Sequence, residues 1–145
     1  MPVAVLNRNE PAFYCVPAKA YEELLDLVDD LELGRIADAR LADGQEPVRV
    51  SLDALELAFH PEALREWHKL TAGIREQFKK KLAERLIEPR MPASKLRGST
   101  DRYKIKLRAA GFRLVYEVRD QELLVLVVAV GKRERNAAYR KADQR

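Results

Sequence analysis

The chain has 145 residues, 47% hydrophobic and 34% charged, a balance that describes a folded globular protein and excludes a disordered one. No apolar run approaches the roughly 20 residues that a membrane helix needs, Met1 to Asn7 lacks the basic region and long apolar stretch of a secretory signal, and the single Cys15 has no internal partner, so a cytoplasmic protein is expected. The net charge of +4 hides a split: residues 1–55 hold five basic and eleven acidic side chains, a net −6, and residues 56–145 hold 22 and 12, a net +10. A basic unit of that size suggests a polyanion partner, nucleic acid being the commonest, with a generally solvated basic surface as the alternative.

Val3–Leu6 and Ala12–Val16 read as two short strands joined by a turn over Asn7–Pro11. Pro17 suits a first helical turn. Tyr21, Leu24, Leu25, Val28 and Leu31 then recur at helical spacing, with Glu22, Glu23, Asp26, Asp29 and Asp30 facing elsewhere. Gly34 is expected to break this helix, and Ile36, Ala37 and Leu41 to form a second short one that Asp43-Gly44 ends. Val48, Val50 and Leu52 alternate with Arg49 and Ser51 as in a strand. A hairpin and one helix make a thin core, so this part needs something to pack on.

Leu57-Ala58-Phe59 reads as a strand. Pro61 opens a helix with Leu64, Trp67 and Leu70 on one stripe. Gly73 marks a break, and Ile74, Phe78, Leu82 and Leu86 define a second amphipathic helix whose outer face carries Lys79, Lys80 and Lys81. Pro89 ends it. Tyr103–Arg108, Phe112–Arg119 and Glu122–Val130 follow as three antiparallel strands, with tight turns at Ala109-Ala110-Gly111 and Asp120-Gln121. A last helix is predicted over Arg133–Arg140. Helices followed by a meander of strands is an α+β plan.

The alternation along Tyr103–Arg108 points Lys104, Lys106 and Arg108 to one side, and an even loop places Arg113 on the same face. Like charges side by side oppose folding. Either a bound anion compensates Lys104, Lys106 and Arg113, or they form a basic exposed strand face. Tyr139, close to Lys132, Arg133 and Arg135, is either an ordinary helix anchor or a tyrosine whose phenolate is favoured, its pKa falling from about 10. His60, His68 and Cys15 have no metal-site spacing. Cys15 is expected to be buried and inert in its strand.

Leu64-Arg65-Glu66-Trp67-His68-Lys69-Leu70 and Arg75-Glu76-Gln77-Phe78-Lys79-Lys80-Lys81-Leu82 resemble the helices of RelE toxins. Lys95-Leu96-Arg97-Gly98, Tyr103–Arg108, Gly111–Tyr116 and Val130-Gly131-Lys132-Arg133-Glu134-Arg135 are similar to the same family in order and spacing, so residues 56–145 are identified as a RelE-type unit. The resemblance implies an antiparallel sheet with two N-terminal helices and a short C-terminal helix. It implies an endoribonuclease that cuts mRNA in the ribosomal A site, the ribose 2′-hydroxyl attacking the adjacent phosphate, with no metal, cofactor or catalytic histidine. By motif, Tyr139 matches the general base and Arg133 the general acid. Lys104, Lys106 and Arg113 match the residues that hold the phosphate and its transition-state charge. Arg97 and Arg135 match arginines that hold RNA or ribosome, and Lys79, Lys80 and Lys81 join them as candidates.

Residues 1–55 resemble antitoxins of the Phd/YefM type through Val3–Asn9, Phe13–Pro17, Tyr21-Glu22, Ile36–Arg40 and Val48–Asp53. In that family this half wraps the toxin and blocks it, which implies a truncated antitoxin fused to its toxin. Tyr21, Leu24, Leu25, Val28 and Leu31 are the expected interface. The segment through which such antitoxins bind operator DNA does not precede Val3, so operator binding is not expected. Only Asp53 to Glu56 join the two parts, at most about 14 Å of extended chain. An exchange of antitoxin segments between chains, giving a swapped homo-oligomer, is therefore expected over docking in cis. Two other readings remain: a non-catalytic binding, assembly or transcription-regulating module, and a relative of ParE, which shares the fold and poisons gyrase.

Overall fold

The computed structural model describes residues 2–119 and 124–132. The chain opens with a hairpin of β1 (Val3–Asn7) and β2 (Glu10–Cys15), followed by the long helix α1 (Ala18–Leu41). Then come β3 (Val48–Leu52), β4 (Leu55–Phe59), α2 (Pro61–His68) and α3 (Ala72–Ile87). A single 3-10 turn (Pro92–Ser94) leads into β5 (Arg102–Leu107), β6 (Phe112–Arg119) and β7 (Leu124–Lys132). The predicted turn at Asp120-Gln121 and helix over Arg133–Arg140 lie outside the described residues.

The larger sheet has the order β3-β4-β7-β6-β5. Its pairs are antiparallel except β4–β7, which is parallel, so the sheet is mixed. Strand β7 is the central one, and its run Val125 to Val130 is buried throughout, as a strand covered on both faces requires. On one face Phe59, Trp67, Phe78, Leu82, Ile105, Tyr116 and Val127 form the main core under α2 and α3. On the other, Ala37 of α1 packs with Ala58, Leu126 and Val128, and Leu33 packs with Leu96, Val115 and Ala129. The molecule is therefore a helix, a sheet and a helix pair in three layers, α1 being one complete layer.

Helix α2 starts well because His60 is its N-cap, with the ring accepting from the Glu62 backbone N–H at 3.0 Å, and Pro61 follows at the first turn. Nδ1 is the accepting atom, so Nε2 carries the proton donated to Asp43 at 2.8 Å. The Asp43 carboxyl sits below its ordinary value of 3.8, first because the Gln45 backbone N–H donates to it and then through His60. Helix α3 is capped by Thr71, whose hydroxyl accepts from the Ile74 N–H.

The structure corrects four expectations. Gly34 does not break α1, which runs without interruption from Ala18 to Leu41, so Ile36, Ala37 and Leu41 belong to the same helix. The apolar stripe does not face the sheet: Tyr21, Leu24, Val28 and Leu31 are 41–55% exposed, and Leu25 is half-buried. The face that docks carries Asp26, Asp29, Asp30, Leu33 and Ala37 instead, because the surface beneath its first half is cationic. Cys15 is exposed, since β1 and β2 form a two-stranded sheet of their own whose residues stay largely exposed among the described ones. The joint between the two parts also differs from the expected one. Asp53 to Glu56 is not a linker but the tip of the β3–β4 hairpin and the start of β4, and α1 reaches its own sheet through the loop after Leu41.

That hairpin tip is strained. Leu52 pairs with Leu55 across a two-residue loop in which Asp53 and Ala54 have φ of 46° and 72°. A non-glycine residue in the left-handed region costs roughly 1–2 kcal/mol. Ala54→Gly is expected to raise the unfolding free energy by about 0.5–1 kcal/mol after glycine's own entropic cost. Urea unfolding would read this as a higher midpoint with an unchanged slope.

Candidate functional site

The β5–β6 register puts Lys106 opposite Arg113 and Lys104 opposite Val115. Lys104, Lys106 and Arg113 are thus gathered on the α1 side of the sheet, as the alternation predicts. They are not solvent-facing. Lys104 and Arg113 are each only 7% exposed, because α1 crosses above them. Arg108 lies past the end of β5, exposed in the turn, and so leaves the strand face that its alternation assigned to it.

Every cation of the cluster meets a carboxylate from one face of α1. Lys104 Nζ donates to Asp30 Oδ1 and lies 3.9 Å from Asp29 Oδ2. Arg113 Nε is 3.4 Å from Asp29 Oδ1, and Lys106 Nζ is 3.1 Å from Asp26 Oδ2. Arg97 contributes its backbone N–H to Asp30 Oδ2 at 3.3 Å, and its guanidinium lies 4.0 Å from the same oxygen. Asp26, Asp29 and Asp30 fall three and four residues apart, the spacing that aligns side chains along one helical face. Burial pushes the Lys104 amine below its ordinary value of 10.5, and the bond to Asp30 opposes that shift.

The second half of α1 is pinned by different contacts. Arg40 donates to both Glu66 oxygens at 2.6 and 3.2 Å and to the Val128 carbonyl at 3.0 Å. Glu66 also accepts from the Val130 N–H. Arg102 reaches Asp38 at 2.7 Å. A surface pair contributes little, but the Arg40 fork is half-buried and joins α1, α2 and β7 at one point.

The remaining candidates are dispersed. Lys79 is tied to Asp53 and Glu76 at 3.1 Å each, the Asp53 bond being the first cause that raises its amine above 10.5. Lys80 and Lys81 are exposed on α3, away from the cluster's face. Arg133, Arg135 and Tyr139 lie outside the described residues. The sequence reading missed Arg85. It occupies the apolar stripe of α3, seven residues after Phe78, and is 8% exposed. Its guanidinium donates to Tyr116 Oη at 3.1 Å and Ser94 Oγ at 3.0 Å.

Chemically, two lysines and an arginine converging on one small area can hold a phosphate and stabilise added negative charge on it. In this state three aspartates hold that place.

Residues 57–137 match the family model described as the ParE toxin of the type II toxin–antitoxin system parDE. The mRNA interferase toxin RelE of Escherichia coli is 55% identical over 89 residues, covering 61% of this chain and 94% of the relative. The mRNA interferase RelE of Shigella flexneri matches to the same extent. Among solved structures, the isolated E. coli RelE toxin aligns with a TM-score of 0.53 at 53% identity, covering 59% of this chain and 92% of that one. The toxin in the intact E. coli RelBE toxin–antitoxin complex aligns with a TM-score of 0.50 at 56% identity, covering 52% and 92%. The layer formed by α1 and the hairpin before it precede the matched region, while the α2–α3 layer, β4 and the strands carrying the cationic cluster fall within it. This chain is a toxin-bearing protein that belongs to the RelE/ParE toxin family.

Proposed function

We propose that this chain is a ribosome-dependent mRNA endoribonuclease fused behind a truncated antitoxin segment, and that α1 holds it inactive in cis. The carrying observation is the pairing of Asp26, Asp29 and Asp30 with Lys106, Arg113 and Lys104. Three carboxylates stand where the phosphate of an RNA strand would lie, and an anion cannot enter while they remain. The activity itself is carried over from relatives called mRNA interferases.

In the open state the 2′-hydroxyl attacks the adjacent phosphorus, and the leaving 5′-oxygen departs with a proton. Lys104, Lys106 and Arg113 bind the non-bridging oxygens and stabilise the extra charge of the phosphorane. Tyr139 as base and Arg133 as acid complete the proton transfers without a histidine or a metal. So small a unit borrows substrate positioning from the ribosome, so free RNA is expected to be a poor substrate.

A nicked chain tests this. The Asp43–Pro47 loop is largely exposed, and a protease site placed between Gln45 and Glu46 separates α1 from the sheet while leaving β3 paired to β4. The intact chain is expected to leave ribosome-bound mRNA uncut. After nicking and dilution, cuts should appear within codons at mapped mRNA ends. Equal cutting before and after nicking contradicts restraint by α1, and no cutting in either state contradicts the nuclease. The ParE description of the family model supports a second reading, gyrase inhibition. Inhibition of plasmid supercoiling by the nicked chain, with intact mRNA, would select it.

A further inference from the structure

A cavity of about 280 Å³ opens beside the cluster, between α1, the end of α3 and the turn at Pro92–Ser94. Its wall includes Arg85, Lys95, Arg97, Lys104, Lys106 and Arg108, against only two carboxylates, Asp26 and Asp30. Those two are engaged by Lys104, Lys106 and Arg97. Arg85, Lys95 and Arg108 have no ion pair among the described residues.

Arg85 makes this more than a basic surface. It is 92% buried, and its partners are two neutral hydroxyls and the face of the Tyr116 ring, 5.9 Å from the guanidinium carbon. Its Nε–H has no acceptor among the described residues. Tyr116 is itself fixed by donating to the Pro89 carbonyl at 2.7 Å and by stacking on Tyr103, so the guanidinium is held rigidly. A buried cation without a counter-charge is costly. An anion in the adjoining cavity would supply the missing charge, and the cavity far exceeds the roughly 10–15 Å³ that one water needs.

We propose that Arg85, Lys95 and Arg108, with Ser94, form a second phosphate site, one step along an RNA strand from the Lys104–Arg113 cluster, that stays open while α1 is docked. The proposal rests on the nuclease reading and extends it. An RNA strand is favoured over a free phosphate ion because Lys106 and Arg97 line the same cavity, so one strand can lay successive phosphates along its wall, and along the cluster once α1 leaves. The covered cluster excludes RNA, whereas this site gives the strand a foothold on the closed chain.

The test uses the full, un-nicked chain, a non-cleavable 2′-O-methyl RNA trinucleotide and inorganic phosphate. Calorimetry is expected to show trinucleotide binding that inorganic phosphate displaces only at much higher concentration. The guanidinium NMR signals of Arg85 should shift on binding. Lys95 and Arg108 are exposed, so replacing both with alanine spares the core. That variant is expected to bind the trinucleotide roughly ten-fold more weakly, with the slope of log K against log salt lower in magnitude by about 0.7 per lost contact. Arg65→Ala on α2 should change neither. Arg85→Met tests the buried member, read only if its thermal unfolding stays cooperative. Binding of inorganic phosphate without the trinucleotide overturns the strand assignment. Binding unchanged in the Lys95 and Arg108 double variant overturns the site. Failure of the nuclease reading is seen separately: a nicked chain that never cuts mRNA can still bind the trinucleotide through Arg85, and a cutting chain can lack this site.

Discussion

Replacing Asp29 and Asp30 with asparagine in the full chain is expected to convert a chain that cells tolerate into one that arrests growth. Both side chains of the Asp30–Lys104 pair are 6% exposed. Without the carboxylates, Lys104 and Arg113 become buried cations facing neutral amides. Breaking a buried pair by removing one partner costs about 3–5 kcal/mol. At about 1.4 kcal/mol per factor of ten, the undocked population of α1 rises on the order of 10²–10⁴-fold. Asparagine keeps the volume, so the packing of Leu33 and Ala37 is untouched and the effect is electrostatic. Growth after induction and hydrogen exchange of the α1 amides measure the two ends of the chain of cause. Fast exchange in α1 with normal growth would show that the helix covers the cluster without restraining it.

Lys104→Met should have the opposite consequence through the same contact. It leaves Asp29 and Asp30 facing an apolar side chain, so α1 loosens by an amount comparable to the aspartate variants. Yet the loosened chain is expected to stay harmless, because the proposed mechanism makes Lys104 a donor to the phosphorane. Losing one such donor lowers turnover by roughly 10²–10³-fold, measurable as the single-turnover rate of the nicked chain on programmed ribosomes. Combining Asp30→Asn with Lys104→Met should recover part of the stability lost in each, with a coupling of about 0.5–3 kcal/mol by double-mutant cycle. An unchanged cutting rate in Lys104→Met would remove the lysine from the reaction.

The pairing of Lys106 with Arg113 was legible in the sequence because strand alternation and loop parity are strict rules. The two amphipathic helices α2 and α3 were legible for a similar reason, their apolar faces meeting an apolar sheet. Helix α1 was misread by the same logic. Its apolar stripe is real, but periodicity reports which face is greasy and not which face docks. Here the acceptor surface is cationic near Lys104 and apolar only near Val115 and Leu126, so an acidic turn followed by Leu33 and Ala37 fits it better. Gly34 misled because its flanks form helix well, and its missing Cβ faces Ser99 with room to spare, 3.9 Å from the hydroxyl. Arg85 left a signal that was overlooked: an arginine at the position where the stripe of Phe78 and Leu82 continues inward. The division at residue 55/56 follows the resemblance, whereas the backbone carries the hairpin pairing of Ser51 with Glu56 and Val50 with Leu57 across it.

The order of the layers along the chain has a temporal meaning. Helix α1 ends at Leu41, and Arg113 is added only 72 residues later, on the order of 4–14 s at ordinary rates of synthesis. The acidic face therefore leaves the ribosome first and waits for its cations. Each cluster that forms meets its own carboxylates at birth, at the high local concentration that a covalent tether confers. The ratio of covering helix to cluster is one by construction and cannot drift with gene dosage or with turnover of a separate partner.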